Sequence, residues 1–212
     1  MMPVIEGRTL AQDIATLRRR VQKPSELARH LDDRLALVEA IARAVHEIHE
    51  QGLIHRDLKP ANVMIRQDGS PVLLDFGLAV SEGGALDDAT LRRSMAGSAA
   101  YQAPERILQP GTVDRRTDVF SLGAILFETV TTERLFEGGT SAQVFEAIPA
   151  ERAQSLRRLL PGASASLESL VLWSVARSPS GRAPHDGRPG SGVSCEDGHD
   201  SRCSARAPFS SF

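Results

Sequence analysis

The sequence is poor in features that mark several protein classes. Its two cysteines, Cys195 and Cys203, are too few for a disulfide-built scaffold. The formal net charge is only −2, which removes the electrostatic reason to expect binding to nucleic acid or to an anionic membrane. Lysine is scarce, because 23 of the 25 basic residues are Arg and the two lysines are Lys23 and Lys59. Any function that requires a lysine must therefore use one of these two.

Long apolar runs are also missing. The most apolar stretch, residues 119–130, contains Ser121 and Glu128 and is too short to span a membrane. The first six residues lack the charged region and the apolar length of a signal peptide. A length of 212 residues and an apolar fraction of 41% are ordinary for one hydrophobic core. We therefore predict a cytoplasmic protein without a membrane segment, consisting of one large domain or a domain and a tail.

Hydrophobic periodicity predicts a largely helical chain. Thr9 is a suitable N-cap for a first helix, Pro24 interrupts the pattern, and Gly52 ends a long amphipathic helix. Two short apolar runs are separated by Asp68 and Gly69, a strong signal for a hairpin turn. The predicted helices cover residues 10–17, 31–48, 114–131, 141–148 and 166–176, and the predicted strands cover residues 62–65 and 72–74.

Two segments lack regular periodicity. Residues 75–105 are rich in Gly, Ala and Ser with mixed charge, and we predict a long functional loop there. After Arg182, 13 of the last 30 residues are Gly, Ser or Pro. A segment that cannot bury apolar area does not offset its ordering entropy, so we predict a disordered tail over 183–212.

Three short motifs follow one another in this setting. His-Arg-Asp-Leu-Lys-Pro-Ala-Asn occupies residues 55–62, between the long helix and the hairpin. Asp-Phe-Gly occupies residues 75–77, directly after the second strand, and Ala-Pro-Glu at 103–105 closes the long loop. Each tripeptide occurs often by chance. Their order, within a helix, loop and hairpin context, is highly specific.

The motifs resemble the catalytic loop, the metal-binding loop and the end of the activation segment of the protein kinase family. The resemblance runs from about residue 1 to Arg182. It implies an α+β, mainly α-helical fold that corresponds to the C-terminal lobe of a kinase, in which a small β-hairpin carries the catalytic and metal-binding loops. The implied domain is 1–182, with a hinge at 2–7, a catalytic loop at 55–62 and an activation segment at 75–105.

The resemblance also implies roles in phosphoryl transfer from ATP. Asp57 would accept the proton of the substrate hydroxyl, and Lys59 would lie beside the transferring phosphate, as in serine/threonine kinases. Asn62 and Asp75 would supply oxygens to Mg²⁺ or Mn²⁺, with Asp75 also near the phosphates. The expected adenine pocket is formed by the backbones or side chains of Met2, Pro3, Ile5 and Met64.

Further positions match regulatory residues of the family. Arg56 resembles the arginine that pairs with a phosphate on the activation segment, for which Thr90 and Ser94 are the better acceptor candidates. Ser98 matches a position whose hydroxyl contacts the catalytic Asp and Lys, so we expect a structural role for it.

The remaining matched positions are structural. His55 and Phe76 resemble core spine residues, and Asp118 resembles the buried helix Asp that holds the catalytic-loop backbone. Glu105 and Arg182 look like the ion pair that ties the activation segment to the last helices.

The parts of a complete kinase that precede the hinge have no match. Before Asp57 the sequence has only Gly7 and Gly52, so no Gly-x-Gly-x-x-Gly motif occurs, and Lys23 lies on a connector instead of a strand. The resemblance therefore implies a C-terminal lobe with its hinge and without an N-terminal lobe. His185, Cys195, His199 and Cys203 form a potential zinc set, but incidental composition is the better interpretation of their irregular spacing.

The leading prediction is a bacterial-type serine/threonine protein kinase catalytic region that transfers the γ-phosphate of ATP to Ser or Thr hydroxyls of proteins. We expect it to be inactive as this chain alone. The alternative is a non-catalytic, pseudokinase-like binding module that docks a partner, such as one supplying an N-lobe. A small-molecule phosphotransferase of related fold is a third interpretation, but such enzymes usually lack the Lys-Pro pair and the Ala-Pro-Glu segment.

Overall fold

The computed structural model describes residues 6–21, 23–75, 80–81, 99–108, 114–136 and 153–182. The helices are α1 Leu10–Arg20, α2 Pro24–Ala28, α3 Leu31–Glu50, α4 Pro104–Leu108, α5 Arg116–Thr131, α6 Leu156–Leu159 and α7 Ala165–Ser174. The strands are β1 Gly7–Thr9, β2 Leu53–Ile54, β3 Val63–Arg66, β4 Pro71–Leu73 and β5 Val80–Ser81. Single 3₁₀ turns occur at Pro60–Asn62, Ala99–Tyr101 and Pro179–Gly181. The predicted helix at 141–148 and the predicted tail lie outside the described residues.

Helix α1 begins with the N-cap expected from the sequence. The Thr9 hydroxyl accepts the Gln12 backbone N–H at 3.2 Å, and the Gln12 side chain accepts the Thr9 N–H at 2.9 Å, which completes a capping box. The apolar side chains of the predicted helix face are buried. Pro24, predicted only as an interruption, instead starts α2, because proline has no N–H to lose at the first helical position.

The hairpin forms where the sequence predicts it. Strands β3 and β4 pair antiparallel with Met64 opposite Val72, and the turn between them uses Gly69 at a positive φ of 85°. A third strand, β1, adds to β3 with Gly7 opposite Arg66. A Cβ at Gly7 would lie 2.2 Å from the Ile65 carbonyl oxygen, so only glycine fits there. Gly7, the last residue of the predicted hinge, is also the first residue of β1.

The core lies around α5, which is buried on nearly every side and packs against α3 and α7. Phe120 and Phe127 are fully buried, and Phe120 stacks on Phe136 with ring centroids 5.9 Å apart. Outside this core, Leu172 and Trp173 on α7 are 48% and 41% exposed. Among the described helices, none has the length and hydropathy needed to cross a membrane. The cytoplasmic location stays a prediction.

Candidate active site

The candidate site lies on the loop of residues 55–59, which joins β2 to the 3₁₀ turn Pro60–Asn62. Ile54 before the loop is fully buried, and Leu58 within it is buried as well, so both anchor the loop to the core. His55, Arg56 and Asp57 are also buried. Buried polar groups need hydrogen-bond partners, so the partners of the backbone and side-chain groups of this loop determine its position.

Asp118 on α5 satisfies two of the loop's backbone donors. Its Oδ2 accepts the His55 N–H at 2.9 Å, and its Oδ1 accepts the Arg56 N–H at 2.9 Å. His49 on α3 places its Nε2 2.8 Å from the same Oδ2. The carboxylate is fully buried, so the central helix, α3 and the loop are connected through one side chain.

Arg56 has an unusual backbone conformation. Its φ is 65°, in the left-handed region, which costs about 1–3 kcal/mol for a residue with a side chain. The peptide groups on both sides of Arg56 are held by buried partners. Its N–H bonds to Asp118, and its carbonyl oxygen accepts a hydrogen bond from Nη1 of Arg106 on α4. These two bonds offset the strain and set the backbone direction at Asp57.

Asp57, Lys59 and Asn62 form one hydrogen-bonded network. Lys59 Nζ lies 2.6 Å from Asp57 Oδ2, and Asn62 Nδ2 lies 3.1 Å from the same oxygen. Asn62 Nδ2 also donates to the Asp57 backbone carbonyl at 2.9 Å. The Asp57 carboxylate is therefore held in place by a cation and an amide.

Asp75 is brought next to this network by the hairpin. The Leu74 N–H donates to the Asn62 carbonyl at 2.8 Å, and the Leu74 carbonyl lies 3.0 Å from His55 Nε2. Directly after these contacts, Asp75 turns the chain with a φ of 62° and exposes its side chain. Asn62 is thus bonded, at the ends of the paired strands, to the residue that precedes Asp75.

The donor set suits a divalent cation that is bound together with phosphates. The Asn62 amide nitrogen is engaged by Asp57, which directs the amide oxygen of Asn62 away from that carboxylate. Mg²⁺ prefers one or two protein oxygens, with waters and phosphate oxygens completing its coordination. In the part of the chain that the structure describes, no group of three or more His, Cys, Asp or Glu could hold a metal without a co-ligand. Asn62 and Asp75 fit such a two-ligand site.

Glu105 and Arg182, separated by 77 positions, form a buried bidentate pair. Arg182 Nη1 and Nη2 donate to the two Glu105 carboxylate oxygens at 2.7 and 2.9 Å, and the Thr117 hydroxyl donates to Glu105 at 3.1 Å. The Arg182 guanidinium also lies over the Phe120 ring, 5.0 Å from its centroid. It further donates to the backbone carbonyls of Arg116, Ala176 and Arg177. The pair ties α4, which carries Glu105, to the segment that follows α7.

Two buried groups, Tyr101 in the core and Arg106 at the site, were missed by the sequence analysis. The Tyr101 hydroxyl donates to Glu128, and burial together with that carboxylate raises the pKa of Tyr101. Arg106 is 5% exposed and donates to the Arg56 carbonyl in the loop of residues 55–59. Burial lowers the pKa of its guanidinium, and the nearby Asp57 and Asp118 carboxylates oppose that effect. A charged residue in a five-residue helix is usually solvated, so no pattern in the sequence marks Arg106 as buried.

Among the residues predicted for the adenine pocket, the structure describes Met64. Met64 lies half-buried on β3, two residues after Asn62. The remaining predicted residues lie outside the described residues, namely Met2, Pro3, Ile5, Phe76, Thr90, Ser94 and Ser98.

The comparison with protein-family models identifies the class. The protein kinase domain model matches residues 8–184. Because that match covers well over half of the 212 residues, the chain belongs to the protein kinase family.

Its curated relatives include bacterial serine/threonine-protein kinases. The serine/threonine-protein kinase PknB of Mycobacterium tuberculosis is 34% identical over 148 residues, which cover 68% of this chain and 24% of PknB. The DNA damage-responsive serine/threonine-protein kinase RqkA of Deinococcus radiodurans is 35% identical over 174 residues, covering 80% of this chain and 24% of RqkA. The chain thus spans about a quarter of the length of these relatives.

Proposed function

We propose that the chain carries the catalytic and metal-binding loops of a serine/threonine protein kinase that phosphorylates Ser or Thr hydroxyls of proteins. The observation that carries this proposal is the network in which Lys59 and Asn62 hold the Asp57 carboxylate, with the Asn62 carbonyl bonded to Leu74, the residue before Asp75. The named relatives, which are serine/threonine-protein kinases, support the substrate class.

The reaction assigns one role to each group. The substrate hydroxyl oxygen attacks the γ-phosphorus of ATP, the bond from that phosphorus to the β-γ bridging oxygen breaks, and ADP leaves. The hydroxyl proton passes to Asp57, and Lys59, 2.6 Å from that carboxylate, stabilises the charge of the transferring phosphoryl group. Asn62 and Asp75 would hold Mg²⁺ or Mn²⁺, which neutralises phosphate charge when bound.

We further propose that these 212 residues, assayed without any added polypeptide, show little or no turnover. The sequence before Asp57 contains neither a Gly-x-Gly-x-x-Gly motif nor a lysine on a strand, because Lys23 is the N-cap of α2. Those two features supply most of the phosphate contacts of a kinase. The proposed organisation keeps the hinge at 2–7, the activation segment at 75–105 with Thr90 or Ser94 as phosphorylation sites, and a separate tail at 183–212.

The test is a phosphotransfer assay with radiolabelled ATP, Mg²⁺ and a mixture of Ser- and Thr-containing proteins. It compares the chain alone with the chain fused behind the N-terminal lobe of PknB. We expect turnover only in the fusion, and we expect Asp57→Asn to reduce it by about 10²–10⁴-fold, the usual contribution of a general base. Asp68→Asn, at the exposed hairpin turn, is the matched control and should leave turnover unchanged.

The outcomes separate the proposals. Asp57-dependent turnover by the chain alone would contradict the proposed inactivity and leave the kinase assignment standing. A fusion that binds Mg-ATP, as judged by thermal stabilisation, but transfers no phosphate would favour a pseudokinase-like module that docks a partner. The retention of Asp57, Asn62 and Asp75 together weighs against that second interpretation, because a docking module needs none of the three.

A further inference from the structure

Arg106 is a buried cation that contacts the catalytic loop from a different segment of the chain. It lies on α4, two residues after Pro104, whereas the carbonyl that accepts its Nη1 hydrogen bond belongs to Arg56, 50 positions earlier. Arg106 is 5% exposed, so the bond is shielded from water. A charge-assisted hydrogen bond in such a setting is stronger and more directional than one at the surface.

The carbonyl that accepts this bond belongs to the peptide group that joins Arg56 to Asp57. The Arg56 carbonyl and the Asp57 N–H belong to the same peptide group, and that N–H points toward His55 Nδ1 at 3.4 Å. Rotation of this peptide would therefore swing the bond from which the Asp57 side chain projects. Arg56 itself occupies the left-handed region with a φ of 65°, so without a partner its carbonyl would relax toward a lower-energy backbone conformation.

The charges around this peptide balance. Arg56, Arg106, Asp57 and Asp118 are each no more than 6% exposed, and they contribute two cations and two carboxylates to one buried group. The Asp118 and Asp57 carboxylates act on Arg106, and Asp118 acts on Arg56. Removal of the Arg106 charge would leave two buried carboxylates with one guanidinium, in addition to Lys59 at the partly exposed edge.

We propose that Arg106 is a positioning residue, which orients the catalytic Asp57 by holding the carbonyl of the left-handed Arg56. Because Arg106 directly follows Glu105, the contact also couples the docked end of the activation segment to the catalytic loop. When α4 leaves its docked position, the Arg56–Asp57 peptide loses its donor and Asp57 loses its orientation. The inference rests on the proposed role of Asp57 as the general base.

The test measures amide hydrogen exchange by NMR and needs no enzymatic turnover. In Arg106→Gln we expect the Arg56 and Asp57 amides to exchange about 10- to 100-fold faster, since a charged hydrogen bond is lost locally. Arg106→Lys keeps a cationic donor and should restore most of the protection. Arg34→Gln removes a partly buried arginine that pairs with Asp13 on α1 instead of with the loop, and it should leave these amides unchanged.

The outcomes either support or overturn the inference. Equal acceleration at Phe127 of the core and at Arg56 would show a global loss of stability and would overturn it. So would an Arg106→Lys variant that behaves like Arg106→Gln. If neither variant folds, the wild-type chain is measured instead. A hydrogen-bonded Arg106 guanidinium must give slowly exchanging Nη proton signals, and the absence of these signals overturns the proposal. If the fusion with the PknB N-terminal lobe transfers no phosphate while the exchange effect at Arg56 and Asp57 persists, only the proposed function is contradicted.

Discussion

Replacement of Arg182 by Gln should destabilise the fold severely while leaving the hydrogen bonds of the loop of residues 55–59 in place. The substitution removes both hydrogen bonds to Glu105, at 2.7 and 2.9 Å, and leaves that buried carboxylate with the neutral Thr117 hydroxyl as a donor. It also removes the cation from above Phe120 and the donors to three backbone carbonyls. The Arg182 side chain is 0% exposed, so no water replaces what is lost.

The expected loss is about 3–5 kcal/mol in the free energy of unfolding, the usual consequence of removing one partner from a buried ion pair. Domains of this size have a total stability of about 5–15 kcal/mol, so the variant should unfold at a much lower urea concentration. The assay is urea denaturation followed by far-ultraviolet circular dichroism. The matched control is Arg43→Gln, whose pair with Glu39 is half exposed on both sides and should cost about 0.3–0.5 kcal/mol.

A double-mutant cycle with Glu105→Gln completes the test. Because each single variant leaves the other partner buried and unsatisfied, the double variant should lose less stability than the two single losses combined. A loss in Arg182→Gln no larger than that of the Arg43 control would refute the reasoning. Strict additivity in the cycle would also refute it, since it would mean that the two side chains do not stabilise each other.

Three further predictions concern the fold around the site. Gly123→Ala places a Cβ 2.6 Å from that of Ser174 and should cost about 1–3 kcal/mol, whereas Gly162→Ala meets no atom within 4 Å and serves as its control in urea denaturation. Thr9→Ala should lower the free energy of unfolding by about 1 kcal/mol through loss of the capping box, and Thr9→Ser should recover most of that loss. Burial opposes ionisation of Asp13, but the hydrogen bond from Arg8 and the charge of Arg34 hold its pKa below the ordinary 3.8. The ionised form of Asp13 therefore stabilises the fold above pH 3.8. The difference in the free energy of unfolding between wild type and Asp13→Asn should be smaller at pH 3 than at pH 7. A gap that stays constant or widens would contradict the assignment.

The elements with strong local signals were predictable from the sequence. The long helix is confirmed as Leu31–Glu50 with Gly52 at a φ of 73° after it, and the hairpin is confirmed with Asp68 and Gly69 in its turn. In both cases the turn chemistry and the apolar spacing agree, which is the condition under which local patterns specify structure. The family assignment is confirmed as well, because three ordered motifs identify a fold more reliably than periodicity does.

The elements without local signals were not predictable. Strand β1 has three residues, too few for an alternating pattern, and it exists because Gly7 can approach the Ile65 carbonyl. Helix α6 has four residues and is held by Ser155 at its N-cap. The burial of Arg106 depends on a contact across 50 positions, which no local pattern encodes. The roles of Asp57, Lys59, Asn62 and Asp75 in turnover stay predictions.

The position of Trp173 gives the molecule an internal optical reporter. It is the only tryptophan, and it lies 41% exposed on α7, so its emission responds to its immediate surroundings more than to the core. Its carbonyl accepts the Ala176 N–H at 3.3 Å, and the Ala176 carbonyl in turn accepts Arg182 Nε at 2.7 Å. We therefore expect the tryptophan emission to change when the segment around Arg182 is released, and to change little when a ligand binds at Asp57.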